Sequence, residues 1–153
     1  SRLFETGGFK GRSRQIARSE LHATLATCLG IEPAMMAGEY GMSELSSQLY
    51  ETKIGDTLRG LPAREGYLAP PWCAVRAVDP DTLAPMPPGE LGQVLLLDLA
   101  NLDSCSLLLT GDLGRVWTHD AGETRLALQG RAPHAPPKGC SLSIDELLGG
   151  GEA

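Results

Sequence analysis

Prolines divide the second half of the chain into short segments, and this limits its fold more than any other feature. Six prolines fall between residues 70 and 88, and proline can neither donate a hydrogen bond inside a sheet nor continue a helix. Turn composition marks residues 79–82, 87–90 and 119–123. The apolar, β-rich stretches are residues 73–78, 93–99, 106–109, 115–118 and 124–128. The pattern predicts a small, mostly antiparallel sheet or a partly closed barrel.

The first half has a different character. Residues 3–5 predict a short strand, which runs into a glycine-rich loop. A helix is predicted next, with Ser13 as its N-cap and Gly30 as its stop. Residues 35–37 then predict a buried strand. The helix carries an apolar face made of Ile16, Leu21, Leu25, Cys28 and Leu29. This strand–loop–helix–strand order is α/β, and ligands in such sheets bind where loops leave the carboxyl ends of the strands.

Length and charge exclude several classes of protein. With 153 residues, the chain is one ordinary domain or two small ones. The net charge is −6 and the 13 Lys and Arg residues are scattered, so a nucleic-acid partner is not expected. No apolar run approaches the roughly 20 residues of a membrane span. The start has no secretory-signal pattern and no initiating Met, which predicts that the chain begins inside a longer protein.

The four cysteines lie at positions 28, 73, 105 and 140. They form no C-x-x-C pair, so zinc is not expected, and their wide spacing predicts reduced, cytoplasmic thiols. Cys28, Cys73 and Cys105 are predicted to be packing residues. Cys140 is the exception, for a reason given below.

Residues 39–47 form the first segment whose side chains are suited to bind a ligand. Tyr40 offers a ring for a base, Gly41 lets phosphate approach the backbone, Ser43 offers a hydroxyl, and Glu44 offers a carboxylate for Mg²⁺. Taken by composition alone, the segment also fits a surface loop that caps a helix.

Two later segments carry the remaining candidates. Asp112 is predicted to end a strand between two glycines, where a carboxylate can accept hydrogen bonds from both hydroxyls of a ribose. The alternative is an ordinary turn aspartate. Arg131, Lys138 and Cys140 place two cations and a thiol around a proline-rich link, which also fits a solvated linker with an incidental cysteine.

The order and spacing of these segments resemble the adenylate-forming superfamily, which includes acyl-CoA synthetases and firefly-type luciferases. Longer strings resemble the acyl-protein synthetases, the long-chain-fatty-acid–luciferin-component ligases of bacterial luminescence. These strings are ETGGFKGR at 5–12, EYGMSELSSQ at 39–48, GYLAPPW at 66–72, DLAN at 98–101 and KGCSL at 138–142.

The resemblance implies a fold, a reaction and a set of roles. The fold would be the end of an adenylate-forming enzyme's large domain, divided into an α/β segment (1–66), a β subdomain (67–130) and a hinge with a short stub (131–153). ATP and Mg²⁺ would activate a fatty acid as acyl-adenylate. Gly7 and Gly8 would approach the adenine, Tyr40 would stack on it, and Ser43 would touch the α-phosphate. Glu44 would hold Mg²⁺, Asp112 would bind the ribose, and Arg131 would reach ribose or phosphate at the hinge.

The implied acceptor is a protein thiol. Members of the family carry the acyl group on a cysteine near the C-terminus, and Cys140 lies 13 residues from the end of this chain. The alternative is that Cys140 is a buried structural cysteine. The implied partners are a fatty acid and an acyl-acceptor protein or fatty-acid reductase subunit, with the oligomeric state open. The superfamily's phosphate loop is absent from these residues, so the chain would hold only part of the nucleotide site. A phenylacetate-type acyl-CoA ligase and a non-catalytic fragment remain the other two hypotheses.

Overall fold

The described part of the chain is built around one mixed sheet. The computed structural model describes residues 1–6, 16–119, 122–133 and 135. In chain order the elements are β1 (Leu3–Thr6), α1 (Arg18–Leu29), a 3₁₀ turn (Pro33–Met35), β2 (Met36–Tyr40), β3 (Leu49–Glu51), α2 (Lys53–Leu58), β4 (Tyr67–Leu68), β5 (Cys73–Val78), β6 (Leu91–Asp98), β7 (Leu107–Thr118) and β8 (Thr124–Arg131).

The eight strands lie in the order β1-β2-β3-β4-β8-β7-β6-β5. Strand β1 pairs with β2 in parallel, and the other pairs are antiparallel. This confirms the predicted fold class, an α/β segment followed by a mostly antiparallel β part. The division at residues 66 and 130 stays a prediction. The sheet itself continues across residue 66, where β3 pairs with β4.

The N-terminal helix starts later than predicted. Helix α1 begins at Arg18, and its N-cap Ala17 has extended backbone and makes no side-chain cap bond. The predicted start at Ser13 is therefore wrong, although Ser13 itself lies outside the described residues. Gly30 ends α1 with a left-handed φ of 61°, as predicted for a glycine stop. The predicted apolar face is only partly covered by the described residues, since Leu21 and Leu25 are half-buried whereas Cys28 and Leu29 are exposed.

A charged cluster joins α1 to the sheet. Arg18 donates to both carboxylate oxygens of Glu51 at 2.6 and 2.7 Å, and its Nε contacts Glu5. The Gly38 N–H also donates to Glu51, at 2.8 Å. Burial alone would raise the pKa of Glu51, but the bonds from Arg18 and Gly38 outweigh it and lower that pKa. A side chain on Gly38 would lie 2.6 Å from Arg18 Nη2, so glycine here lets the cluster form.

The C-terminal half confirms most of the strand predictions and corrects one. Residues 73–78 form β5 as predicted, whereas residues 107–109 and 115–118 of two predicted strands belong to one 12-residue strand, β7. Asp112 therefore lies within a strand and does not end one. The register with β8 shifts between Leu113 and Gly114, as at a β-bulge. Glycine suits position 114 because a Cβ there would lie 2.6 Å from Leu126 Cδ1.

One apolar core joins the two halves. Its buried members are Tyr40, Leu45, Leu49, Cys73, Val75, Val94, Leu96 and Leu126. Burial, with a contribution from Asp98, raises the pKa of the Cys73 thiol to about 11, as suits a packing cysteine. The same prediction is wrong for Cys28 and Cys105, which are exposed. Cys28 lies on an exposed turn of helix α1, and Cys105 lies in the connection before β7. In the described ranges, neither helix is long and apolar enough to cross a membrane.

A second ionic cluster is buried beside α2. Asp56 is fully buried and accepts hydrogen bonds from Arg64 at 2.8 Å and from Thr52 at 2.7 Å. Arg64 also donates to Glu123 at 2.6 Å, and the fully buried Arg125 donates to the same carboxylate at 3.2 Å. The cluster fixes α2 to the hairpin between β7 and β8.

Acid is expected to destabilise the protein through Asp56. The bond from Arg64 lowers the pKa of Asp56 from 3.8 to about 2, so the unfolded chain takes up this proton at a higher pH than the folded one. The stabilisation is complete above about pH 4 and is lost as the pH falls towards about 2. Urea unfolding followed by circular dichroism between about pH 7 and pH 3 should show the free energy of unfolding falling more steeply in the parent than in Asp56→Asn. Equal slopes in the two proteins would contradict this assignment.

Candidate functional site

Three predicted site residues meet at one point of the structure. Tyr40 Oη donates to Asp112 Oδ2 at 2.8 Å, and Arg131 Nη1 donates to Asp112 Oδ1 at 2.7 Å. Tyr40 ends β2, Asp112 lies in β7, and Arg131 is its cross-strand partner at the end of β8. Tyr40 and Asp112 are separated by 72 residues, so the fold brings this triad together. We call these three residues the Tyr40–Asp112–Arg131 triad.

The protonation states of the triad follow from its surroundings. Burial, followed by the charge of Asp112, raises the pKa of the Tyr40 phenol far above its ordinary value. Tyr40 therefore stays protonated and donates to the carboxylate. Asp112 is 7% exposed and Tyr40 5% exposed. Each oxygen of the Asp112 carboxylate accepts one of these bonds, Oδ2 from Tyr40 and Oδ1 from Arg131.

Gly111 allows Arg131 to reach Asp112. A side chain at position 111 would lie 2.7 Å from Arg131 Nη2 and 2.8 Å from Ala135 Cβ. The carbonyl of Gly111 also accepts from the Ala132 N–H at 2.9 Å. The absence of a side chain at position 111 therefore has a steric reason, which the sequence alone did not reveal.

Ser43 and Glu44 lie in the loop that joins β2 to β3, at residues 41–48. Both are exposed, whereas Leu45 is anchored in the core. The Leu45 N–H donates to the Met42 carbonyl at 3.1 Å and closes a turn around the two residues. A side chain on Gly41 would approach Gln48 Cγ at 3.3 Å and Glu39 Oε1 at 3.4 Å, a tight fit at the start of this turn.

Sequence reasoning assigned no role to Asp98, although the structure ties it to the same loop. Asp98 is fully buried and accepts hydrogen bonds from the N–H groups of Ser46 and Ser47 at 3.0 and 2.8 Å. Burial alone would raise the pKa of Asp98, but the bonds it accepts, chiefly from the Ser47 side chain, outweigh burial and lower it. An acidic residue directly after a run of leucines is the signal that could have identified it, since a carboxylate there needs a specific partner.

The remaining predicted site residues lie outside the described part. These are Gly7, Gly8 and Cys140, and Lys138 lies there as well. Their roles stay predictions.

The residues present were compared with the needs of ATP and Mg²⁺. Within the described ranges, no three His, Cys, Asp or Glu side chains are grouped to hold a metal ion alone. A single exposed carboxylate such as Glu44 fits Mg²⁺ that is shared with substrate phosphates. The Asp112 carboxylate is an acceptor of the kind that ribose hydroxyls need, and the Arg131 guanidinium is a donor that suits ribose or phosphate. The buried Tyr40 ring presents no open face for adenine in this structure, so its stacking role stays a prediction.

Two open clefts lie beside the loop, with volumes of about 420 and 660 Å³. Both are lined by Gln48, Tyr50 and Pro70, and neither is lined by the triad. These two clefts therefore do not bring the nucleotide candidates of the described residues together.

Structural comparison finds a similar fold within larger proteins of known structure. An open form of 2-hydroxyisobutyryl-CoA ligase, solved with 2-HIB-AMP and CoA, matches 97% of this chain and 34% of its own, with a TM-score of 0.60 and 18% identity. An ATP-bound RpMatB–BxBclM chimera matches 85% of this chain and 25% of its own, with a TM-score of 0.54 and 19% identity. At these identities the comparison establishes the fold.

Sequence comparison is more specific. A long-chain-fatty-acid–luciferin-component ligase from Vibrio harveyi is 28% identical over 146 residues, which are 93% of this chain and 36% of that enzyme. The enzyme of the same name from Aliivibrio fischeri is 38% identical over 83 residues, which are 52% of this chain and 22% of that enzyme. The chain therefore spans about a third of the Vibrio harveyi enzyme. The family model described as "Acyl-protein synthetase, LuxE" matches residues 1–149, and the chain belongs to this family of ligases.

Proposed function

We propose that this chain is the C-terminal part of an enzyme that activates a fatty acid with ATP and transfers the acyl group to a protein thiol. The observation that carries the proposal is the Tyr40–Asp112–Arg131 triad, because residues from three separate segments, each predicted to contact nucleotide, meet within hydrogen-bonding distance. Family membership and the names of the relatives from Vibrio harveyi and Aliivibrio fischeri support a fatty acid as the substrate.

The proposed reaction has two steps. A carboxylate oxygen of the fatty acid attacks the α-phosphorus of ATP, and pyrophosphate leaves to give acyl-adenylate. A thiolate then attacks the acyl carbon, and AMP leaves. The protein's part in the first step is positioning and charge neutralisation at phosphorus.

Four of the described residues have a defined part in this proposal. Asp112 accepts hydrogen bonds from the ribose hydroxyls and Arg131 contacts ribose or phosphate. Ser43 donates to the α-phosphate, and Glu44 holds Mg²⁺. Such an enzyme would work in the cytoplasm, with an acyl-acceptor protein or fatty-acid reductase subunit as its partner.

Replacing Glu44 with glutamine in the full-length protein tests this assignment. Mg²⁺ acts mainly on the charge that develops at phosphorus, so the rate should fall by roughly ten- to a hundredfold while the affinity for ATP changes by less than about threefold. The measurement is fatty-acid-dependent exchange of labelled pyrophosphate into ATP. Glu39→Gln, on the strand before the loop, is the matched control and should keep the parent rate. An unchanged exchange rate in Glu44→Gln would rule out the metal role.

A further inference from the structure

The side-chain amide of Asn101 is bonded to the backbone of the loop that carries Ser43 and Glu44. Its Nδ2 donates to the Glu44 carbonyl at 2.9 Å and to the Cys105 carbonyl at 3.1 Å. Its Oδ1 accepts from Ser104 Oγ at 2.8 Å and from Ser46 Oγ at 3.3 Å. All four hydrogen-bonding positions of the amide are thus in use.

Asp98 holds the next residues of the same loop. Its Oδ2 accepts from the N–H groups of Ser46 and Ser47, and its Oδ1 accepts from Ser47 Oγ at 2.8 Å and from the Ala100 N–H at 3.0 Å. Trp72 Nε1 also donates to Ser47 Oγ, at 2.9 Å. The loop is therefore fixed to the end of β6 by side chains more than 50 residues away in the chain.

This attachment matters because Glu44 is exposed while its backbone is fixed. Residues 41–48 belong to no strand or helix, and an unpaired loop would otherwise sample many conformations. Holding the Glu44 carbonyl on one side and the Ser46 and Ser47 N–H groups on the other limits where the Glu44 carboxylate can lie. A catalytic group gains its effect only when it is held near the productive geometry.

We propose that Asn101 is a positioning residue, which together with Asp98 holds the Ser43–Glu44 turn where Mg²⁺ and the α-phosphate of ATP bind. This inference rests on the proposed function. Asn101 acts through the backbone of Glu44 and touches neither substrate nor metal.

The chemistry of the contact explains why the residue is an asparagine. Both partners of Nδ2 are carbonyl oxygens, so position 101 must supply N–H donors. An aspartate has the same shape but would place carboxylate oxygens against two carbonyls. Ser104 donates only to the opposite end of the amide, which makes Ser104→Ala a matched control that leaves the Glu44 contact in place.

The test uses the full-length protein and compares Asn101→Ala, Asn101→Asp and Ser104→Ala with the parent. Fatty-acid-dependent pyrophosphate exchange gives kcat, the KM for ATP and the Mg²⁺ concentration at half-maximal rate, and calorimetry gives Tm. We expect Asn101→Ala to lower kcat by about three- to tenfold, the equivalent of one lost hydrogen bond. Asn101→Asp should lower kcat further. Both should raise the half-maximal Mg²⁺ concentration and leave the KM for ATP within about twofold, while Ser104→Ala matches the parent.

Three outcomes would overturn the inference. If both Asn101 variants have the parent's kcat and Mg²⁺ dependence, the contact has no part in catalysis. If kcat, ATP affinity and Tm fall together with an unchanged Mg²⁺ dependence, Asn101 is a structural residue only. If the parent itself shows no exchange, the proposed function fails, and the inference fails with it.

Discussion

Replacing Asp112 with alanine in the full-length protein is expected to weaken ATP binding by roughly ten- to a hundredfold. Each hydrogen bond to a charged acceptor contributes about 1.5–3 kcal/mol, and a loss of about 1.4 kcal/mol is tenfold in affinity. The substitution removes the acceptor proposed for the ribose hydroxyls and also frees the Arg131 guanidinium from its 2.7 Å contact. Isothermal titration calorimetry with Mg·ATP measures the effect directly.

Tyr40→Phe is the matched control for this experiment. It removes the hydroxyl that donates to Asp112 but keeps the ring and the carboxylate. The control should bind ATP within about threefold of the parent, since one neutral donor is lost. The Tm of both variants separates a loss of binding from a loss of folding. If Asp112→Ala binds ATP as tightly as Tyr40→Phe, Asp112 is a structural partner of Tyr40 and does not bind ribose.

Replacing Cys140 with serine is expected to abolish acyl transfer while leaving acyl-adenylate formation intact. Cys140 lies outside the described residues, so the expectation rests on its sequence context. It is a thiol near the chain end, close to Lys138, whose charge favours the nucleophilic thiolate. In full-length protein incubated with ATP and labelled fatty acid, the hydroxylamine-labile label should disappear. Pyrophosphate exchange should stay within about twofold, because the two steps use different groups.

The exposed cysteines of the structure supply the controls. Cys28→Ser and Cys105→Ser each remove a thiol that reagents can reach, and each should keep the label. Cys73 is unsuitable as a control because it lies in the core, where replacement would also disturb packing. Label that persists in Cys140→Ser, or transfer to free CoA in its place, would favour the acyl-CoA ligase hypothesis.

The parts of the fold that the sequence predicted correctly are those with a strong local pattern. Residues 73–78 alternate between buried and exposed positions over most of β5, and the turn at residue 79 is closed by Asp79 accepting from the N–H groups of Asp81 and Thr82. Gly30 ends α1 in the left-handed region. In each case neighbours in sequence determine the structure.

The parts that were missed depend on distant partners. Strands β3 and β4 have only three and two residues, too few for a periodic pattern, and they exist because β2 and β8 lie alongside them. The glycines around Asp112 indicated a strand end, yet the bulge opposite β8 lets β7 continue through them. The exposure of Cys28 depends on what packs against α1, which periodicity does not reveal.

For the candidate site, the sequence predicted the residues but not the contacts between them. Tyr40, Asp112 and Arg131 were identified from residue type, spacing and resemblance, and the structure places them in contact. Their mutual hydrogen bonds, and the attachment of the Glu44 turn to Asp98 and Asn101, join residues about 20 to 70 positions apart. No local pattern encodes such pairs, because each partner alone looks like an ordinary polar residue at a strand end or in a loop.

The pairing at the end of β8 also has a mechanical consequence. Arg131 lies opposite Asp112 in the ladder, and the next N–H, that of Ala132, is bonded to the Gly111 carbonyl. The last pair of residues in the ladder is therefore also the pair that we propose to contact the nucleotide. In the proposed enzyme, a reorientation of the residues that follow would leave the bond between Asp112 and Arg131 in place, because the Ala132 N–H fixes the chain just after Arg131.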